Sequence, residues 1–187
     1  HVETFGQMTN REKTDFILEQ MRLMLAKGDT LKSQMLSRKI SAKALQADDM
    51  QDLKLRYYTL MVRFHHLRKD YLEICKAYQS MYLTPRVQED AAQWQHHLAH
   101  AVAYVMLAPY GNEQSDLSHR LLADERLLQL PVHYAMLKEF LTDELMRWPL
   151  LVQRYGDTLN ALPDFAAAPP AGEQLNALWR DLRSRVV

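Results

Sequence analysis

The sequence predicts an all-α fold in which antiparallel helix pairs stack on one another. Apolar residues recur at intervals of three and four along most of the 187-residue chain, and no segment sustains the period of two that marks a strand. Only five glycines and seven prolines are present, which is little turn chemistry for a β-rich fold. Candidate first helices of successive pairs start at Asn10, Asp48 and Pro85, which are 38 and 37 residues apart. Such a period indicates a degenerate tetratricopeptide-like or HEAT-like repeat.

Five apolar stripes predict the main helices in order. Residues spaced by three and four lie on the same face of a helix, because one turn takes 3.6 residues. The stripes are formed by Ile17, Met21, Met24 and Leu25; by Leu53, Tyr57, Leu60, Phe64 and Leu67; by Tyr71, Ile74, Cys75, Tyr78, Met81 and Tyr82; by Val87, Ala91, Trp94, Leu98, Val102 and Val105; and by Leu145, Trp148, Val152, Tyr155 and Leu159. We expect the fourth stripe to belong to one long helix.

Capping residues predict where the first helices begin and end. Thr9 and Asn10 are suited to cap a first helix, and Gly28 is suited to end it. Asp29 is then expected to cap the second helix. Asp70 is expected to cap the partner of the helix that opens near residue 48.

Proline and polar residues mark the later boundaries. Thr84-Pro85 predicts a helix start, because proline suits the first helical position. The stretch Ala108–Asn112 predicts a sharp break, after which Ser115 is expected to cap a short helix. Pro131 predicts a further break.

The domain organisation predicted from these signals is a helical-repeat solenoid over residues 1–162. Residues 163–172, which are rich in proline and alanine, are expected to form a flexible connector. Residues 173–187 are expected to form the start of a further helix.

Composition argues against several classes of function. Lys plus Arg and Asp plus Glu balance at 23 each, whereas nucleic-acid and membrane-surface binding rely on excess positive charge. We therefore expect neither a nucleic-acid nor a membrane partner. Cys75 is the only cysteine, so a multi-cysteine metal cage is excluded.

Two groups of residues are candidates for a catalytic site, and each also has a structural interpretation. His96, His97 and His100 lie close together on one predicted helix, but no glutamate lies between them as in a zinc hydrolase, and a solvated helix face is the favoured interpretation. Cys75 lies within an apolar stripe, where a buried, inert thiol is expected. We expect no cofactor, no metal and no enzymatic activity. A metal- or thiol-dependent enzyme is the least favoured alternative.

Six collinear segments resemble a known family. They are KTDFILEQMRLML (13–25), LKLRYYTLM (53–61), YLEICKAYQSMYLTP (71–85), YVMLAPYGNEQSDLSHR (104–120), ELMRW (144–148) and WRDLRSRVV (179–187). Together they are similar to the PCI proteins of the proteasome regulatory-particle lid. The segment at 104–120 is the most specific, because its combination of breaker and cap residues is long and unusual.

The resemblance implies a right-handed superhelix of helix pairs that precedes a winged-helix module, and this chain is expected to lack that module. It further implies a non-catalytic scaffold in ubiquitin-dependent degradation, in the cytoplasm and nucleus. The implied partners are other lid subunits including the deubiquitinase module, with the ATPase ring and core particle as further candidates. The arm of another PCI complex, the signalosome or the initiation-factor complex, is the alternative.

Five polar residues in the most specific segment are candidates for partner contacts: Glu113, Gln114, Asp116, His119 and Arg120. The competing interpretation is structural and is favoured. In it, the same residues cap helices and tie the bent connection to its neighbours, because a buried turn must satisfy its backbone polar groups.

Overall fold

Helices are the only regular secondary structure in the computed structural model over the residues that it describes, which are 8–142, 146–169, 171 and 173–186. This confirms the all-α prediction. Four residues of predicted elements, Leu145, Pro170, Gly172 and Val187, lie outside the described residues. In that described part, none of the helices is both long and apolar enough to cross a membrane.

The chain divides after Asp90 into two compact units. The N-terminal unit contains α1 (Asn10–Ala26), α2 (Thr30–Ser37), α3 (Gln51–Arg68), α4 (Tyr71–Tyr82) and α5 (Pro85–Gln88). The C-terminal unit contains α6 (Ala91–Leu107), α7 (Asn112–Leu122), α8 (Pro131–Leu141), α9 (Trp148–Asn160), α10 (Pro163–Ala166) and α11 (Ala177–Val186). Short 3₁₀ helices at Ala44–Gln46, Asp48–Met50 and Glu125–Gln129 connect some of them.

The caps of the first two helices are formed as predicted. The Thr9 hydroxyl accepts a hydrogen bond from the Glu12 amide, and the Glu12 carboxylate accepts one from the Thr9 amide at 2.7 Å. Gly28 ends α1 with φ +75°, and the amides of Gly28 and Asp29 close the turn on α1 carbonyls. The Asp29 carboxylate then accepts the Lys32 amide at 2.9 Å and caps α2. The chain therefore reverses within three residues, and α1 packs against α2.

The turn between α3 and α4 uses a non-glycine residue in the left-handed conformation, since Lys69 has φ 57°. Asp70 precedes α4 as predicted, but its side chain makes no capping hydrogen bond. Its carboxylate accepts instead from the Arg68 guanidinium at 2.9 Å and lies 3.3 Å from the His65 imidazole. The prediction that the Asp70 side chain caps α4 is therefore wrong, because the Arg68 guanidinium and the His65 imidazole of the preceding turn engage its carboxylate.

The core of the N-terminal unit lies where α3 packs against α1 and α4. Its buried residues come from α1, α3 and the connection between α2 and α3: Ile17, Leu18, Met21, Leu25, Ile40, Leu45, Met50, Leu53, Leu60 and Phe64. The first two predicted stripes supply most of them, so the helical period located this core.

The long helix predicted from Pro85 is two helices. α5 begins at Pro85 as predicted, but it ends after one turn, and α6 begins at Ala91. Asp90 directly precedes α6, and aspartate favours the position before a helix over its interior. Val87 and Ala91 keep helical spacing across this break, which is why the stripe appeared continuous.

α6 lies at the centre of the C-terminal unit. It packs against α7, α8 and α11, and every residue from Leu98 to Ala108 is buried. α7 begins at Asn112, so Ser115 lies inside the helix and the prediction that it caps one is wrong. Gly111 and Asn112 start the helix earlier than the serine signal suggested. α8 begins at Pro131, as the proline predicted.

The predicted connector 163–172 opens with the helical turn α10. Phe165 of that turn is buried, and its ring meets the Trp179 indole edge-on at 5.5 Å between centroids. The Asn176 side chain donates to the carbonyls of Phe165 at 2.7 Å and Ala167 at 2.9 Å. Its amide oxygen accepts the Trp179 amide at 3.0 Å and so caps α11. Asn176 thus joins α10 to α11. The domain boundaries drawn from the sequence stay predictions.

Candidate protein-binding surfaces

The five candidate contact residues lie together on α7. Glu113, Asp116, His119 and Arg120 are exposed, whereas Gln114 is only 3% exposed. Glu113, Asp116 and Arg120 follow one another at intervals of three and four, so they share one face of the helix. Four of the five residues are therefore accessible to a partner, and a binding role for them stays a prediction.

Gln114 has a structural role that removes it from any surface. Its amide nitrogen donates to the Val105 carbonyl of α6 at 3.1 Å and to the Ser118 hydroxyl at 3.3 Å. The Ser118 hydroxyl in turn donates to the Gln114 carbonyl at 2.8 Å. These hydrogen bonds agree with the structural interpretation of residues 113–120, in which a polar side chain satisfies buried backbone groups.

The break before α7 is held by contacts from two later helices. The Tyr110 ring stacks on Phe140 of α8 with 6.0 Å between centroids and 6° between planes. Its hydroxyl donates to the Arg185 carbonyl of α11 at 3.3 Å, and the Arg185 guanidinium donates to the Leu107 carbonyl at 3.2 Å. The most specific segment of the sequence therefore forms a junction between α6, α7, α8 and α11.

The histidines of α6 do not form a solvated face. His96 is exposed, but His97 is half-buried and His100 is only 2% exposed. The His96 and His100 rings lie 4.1 Å apart, and Nδ1 of His100 lies 2.7 Å from the His96 carbonyl oxygen. Burial lowers the pKa of both His97 and His100 to about 4, so both imidazoles are neutral at pH 7. The expectation of a solvated face holds for His96 but is wrong for His100, because every residue of α6 from Leu98 onward is buried.

The residues considered for catalysis have structural surroundings. Cys75 is completely buried within α4, which confirms the predicted burial of its thiol. Across the residues that the structure describes, no three His, Cys, Asp or Glu side chains are grouped so as to hold a metal ion.

A surface that sequence reasoning missed lies between α1 and α2. We call it the α1–α2 groove. It has a volume of about 350 Å³ and is lined by Gln20, Leu23, Met24, Lys32, Met35, Leu36 and Lys39. Leu31 and Met35, which lie one turn apart on α2, are both exposed. That spacing on a helix whose other residues are mostly polar is the signal that could have located the groove.

Exposed ion pairs connect α1 to α3. The Arg11 guanidinium pairs with the Asp52 carboxylate, and the Arg56 guanidinium pairs with both Asp15 and Glu19. The hydrogen bond from Arg11 lowers the pKa of the Asp52 carboxyl. These side chains are 36% to 59% exposed, so the pairs orient α1 but contribute little free energy.

The helices pack in pairs around a local core in each unit, and buried polar side chains take part in that packing. This arrangement places the chain among α-helical repeat proteins. Comparison with known proteins agrees and is more specific. Residues 1–90 match the family model described as PSMD12/CSN4, N-terminal. The chain is 40% identical over 186 residues to the 26S proteasome regulatory subunits rpn501 of Schizosaccharomyces pombe and RPN5 of Saccharomyces cerevisiae. It is 35% identical to the 26S proteasome non-ATPase regulatory subunit 12 of Dictyostelium discoideum.

These similarities cover the whole of this chain and 40% to 41% of each relative's length. Over its whole length the chain resembles proteasome regulatory subunit 12, which confirms the resemblance found in the sequence.

Proposed function

We propose that the chain is the helical-repeat arm of a non-catalytic scaffold subunit of the proteasome regulatory-particle lid, acting in ubiquitin-dependent protein degradation. The observation that carries this proposal is 40% identity over the full chain to proteins named as 26S proteasome regulatory subunits. At such identity over an entire chain the fold and the mode of action are usually shared.

The structure supports a binding role on physical grounds. Each unit presents the outer faces of packed helices, and such faces can bind other proteins without any catalytic residue. The groups considered for chemistry contribute to packing instead, since Cys75 is buried within α4 and His100 within α6. We propose that the partners are other lid subunits, including the deubiquitinase module, with the ATPase ring and the core particle as further partners, in the cytoplasm and nucleus.

The test is affinity purification of the tagged chain from cell extract, followed by mass spectrometry. We expect lid subunits to be enriched over a tag-only control. A Leu98→Asp bait, which places a carboxylate in the buried centre of α6, is the folding control and should lose partners that depend on the C-terminal unit. Recovery of signalosome or initiation-factor subunits in place of lid subunits would refute the lid assignment and favour another PCI complex.

A further inference from the structure

The α1–α2 groove combines exposed apolar side chains with a concave shape. Leu23 on one wall is 43% exposed and Met35 on the other is 60% exposed. Leu31, one turn before Met35 on α2, is 70% exposed. Contiguous exposed apolar surface with a polar rim marks sites of protein association. Methionine adapts its shape to a partner, because its side chain is flexible and polarisable.

The rim of the groove is positively charged. Among the described residues that line it, Lys32 and Lys39 carry charge and none is acidic. The segment 27–43 contains five Lys or Arg residues and one acid, Asp29, in a chain whose net charge is zero. Lys32 lies 3.3 Å from Asp29, but this lysine is 69% exposed, so the pair is weak and leaves Lys32 able to meet a partner carboxylate.

The charge selects among the occupants that an apolar groove can accept. A second copy of the chain seated symmetrically would add its own Lys32 and Lys39 to the same interface, and the resulting excess of positive charge disfavours a dimer. A groove between two packed helices fits the apolar face of a third helix, which would place apolar side chains every three or four residues along it. Acidic residues beside that apolar face would complement the lysines.

We propose that the α1–α2 groove binds an acidic amphipathic helix of a partner protein. The proposal deepens the proposed function. It rests on that function in one respect, which is that the chain acts by binding proteins. It names a surface in the N-terminal unit and the chemistry of the partner, neither of which follows from the similarity to proteasome subunits.

The first experiment measures binding of a designed peptide to the 187-residue chain by fluorescence anisotropy. The probe is a fluorescein-labelled helical peptide of about 20 residues, with leucines at intervals of three and four and glutamates on both flanks. A matched peptide carries lysine in place of each glutamate. We expect the acidic peptide to bind at least about tenfold more tightly, with the difference shrinking at about 1 M salt, where charges are screened within ~3 Å.

Variants locate the site. Met35→Glu is expected to weaken binding of the acidic peptide about tenfold or more, because it removes apolar contact area and adds a repelling charge. Lys39→Glu is expected to weaken it about threefold to tenfold through charge alone. The matched controls are Leu67→Glu, at an apolar residue of α3 that is 57% exposed outside the groove, and Lys43→Glu, at an exposed lysine outside the groove. Both controls should change affinity less than about twofold, and circular dichroism should show that all four variants keep their helix content.

Other results would overturn the proposal. These are equal affinity for the acidic and basic peptides, no binding of either, or equal loss in the control variants. Two further results would also overturn it. One is a dimer, seen by sedimentation velocity, that the Met35→Glu substitution dissociates. The other is displacement of the acidic peptide by phosphatidylserine vesicles. The peptide assay does not involve lid subunits. Failure here with lid subunits still recovered refutes the groove alone, whereas peptide binding without lid recovery refutes the lid assignment.

Discussion

Replacing Asn176 with alanine tests the polar junction that joins α10 to α11. The native side chain is 7% exposed and uses both ends of its amide. The nitrogen donates to carbonyls of residues 164, 165 and 167, and the oxygen caps α11 by accepting the Trp179 amide. Alanine would remove the cap and leave the buried Phe165 carbonyl without its side-chain donor.

The expected loss of stability follows from these bonds. A lost N-cap costs about 1 kcal/mol. The bond to the buried Phe165 carbonyl, at 2.7 Å, adds about 1.5 kcal/mol because this acceptor loses its partner, and the part-buried bond to the Ala167 carbonyl, at 2.9 Å, adds about 0.5 kcal/mol because water can replace the donor. The sum is about 3 kcal/mol, which at a urea dependence of about 1.5 kcal/mol per molar lowers the unfolding midpoint by about 2 M.

Tryptophan fluorescence suits this measurement, because all three tryptophans, Trp94, Trp148 and Trp179, belong to the C-terminal unit. Urea titrations would compare the wild type with Asn176→Ala and with Gln174→Ala, at an exposed amide of the same segment that should change stability by less than about 0.5 kcal/mol.

Asn176→Asp separates the two roles of the side chain. Aspartate keeps an oxygen for the cap but cannot donate to the carbonyls when ionised. We expect it to cost at least about 2 kcal/mol at pH 7. Wild-type stability in Asn176→Asp would show that the donor bonds contribute nothing, and a loss below about 0.5 kcal/mol in Asn176→Ala would refute the whole account.

Acidification should destabilise the C-terminal unit by about 3 kcal/mol between pH 7 and pH 5. His97 and His100 have a lowered pKa of about 4 in the fold, so they stay neutral there while the same residues in the unfolded chain, with a pKa near 6.5, take up protons. A urea midpoint that does not move between these pH values would contradict this. Gln114→Ala should destabilise the same unit by about 1–2 kcal/mol, since it orphans the Val105 carbonyl, whereas Asp116→Ala on the exposed face should be nearly neutral by the same titration. Gly28→Ala should cost about 1 kcal/mol by thermal circular dichroism, because φ is +75° there while nothing lies within 4 Å of the added methyl group; an unchanged melting temperature would show that the turn adapts.

Local signals predicted much of the fold. Thr9, Gly28 and Pro131 mark helix ends in the structure because capping depends on a few neighbouring residues. The break between α5 and α6 escaped prediction for the opposite reason. Val87 and Ala91 preserve helical spacing through it, so the pattern of apolar residues carries no trace of the interruption.

Burial of polar residues was the harder inference. The polar chemistry of His100 and Gln114 predicts surface positions, yet both are buried, at 2% and 3% exposed. For His100 a signal was present, since the residues around it from Leu98 to Ala108 are apolar on every face, and a helix of that kind is buried all round. Gln114 gave no such signal, because its acceptor, the Val105 carbonyl, is a backbone atom.

The enclosure of α6 from Leu98 onward also determines where the C-terminal unit can open. Its residues from Leu98 to Ala108 are buried, and α6 packs against α7, α8 and α11. If one of these three helices detaches, the other two still cover this stretch of α6. Amide hydrogens of this stretch should therefore exchange with deuterium only when the entire unit unfolds. Under native conditions, the exchange rate of these amides measures the free energy of unfolding of the whole unit. The amides of the one-turn helix α10 instead exchange through local opening.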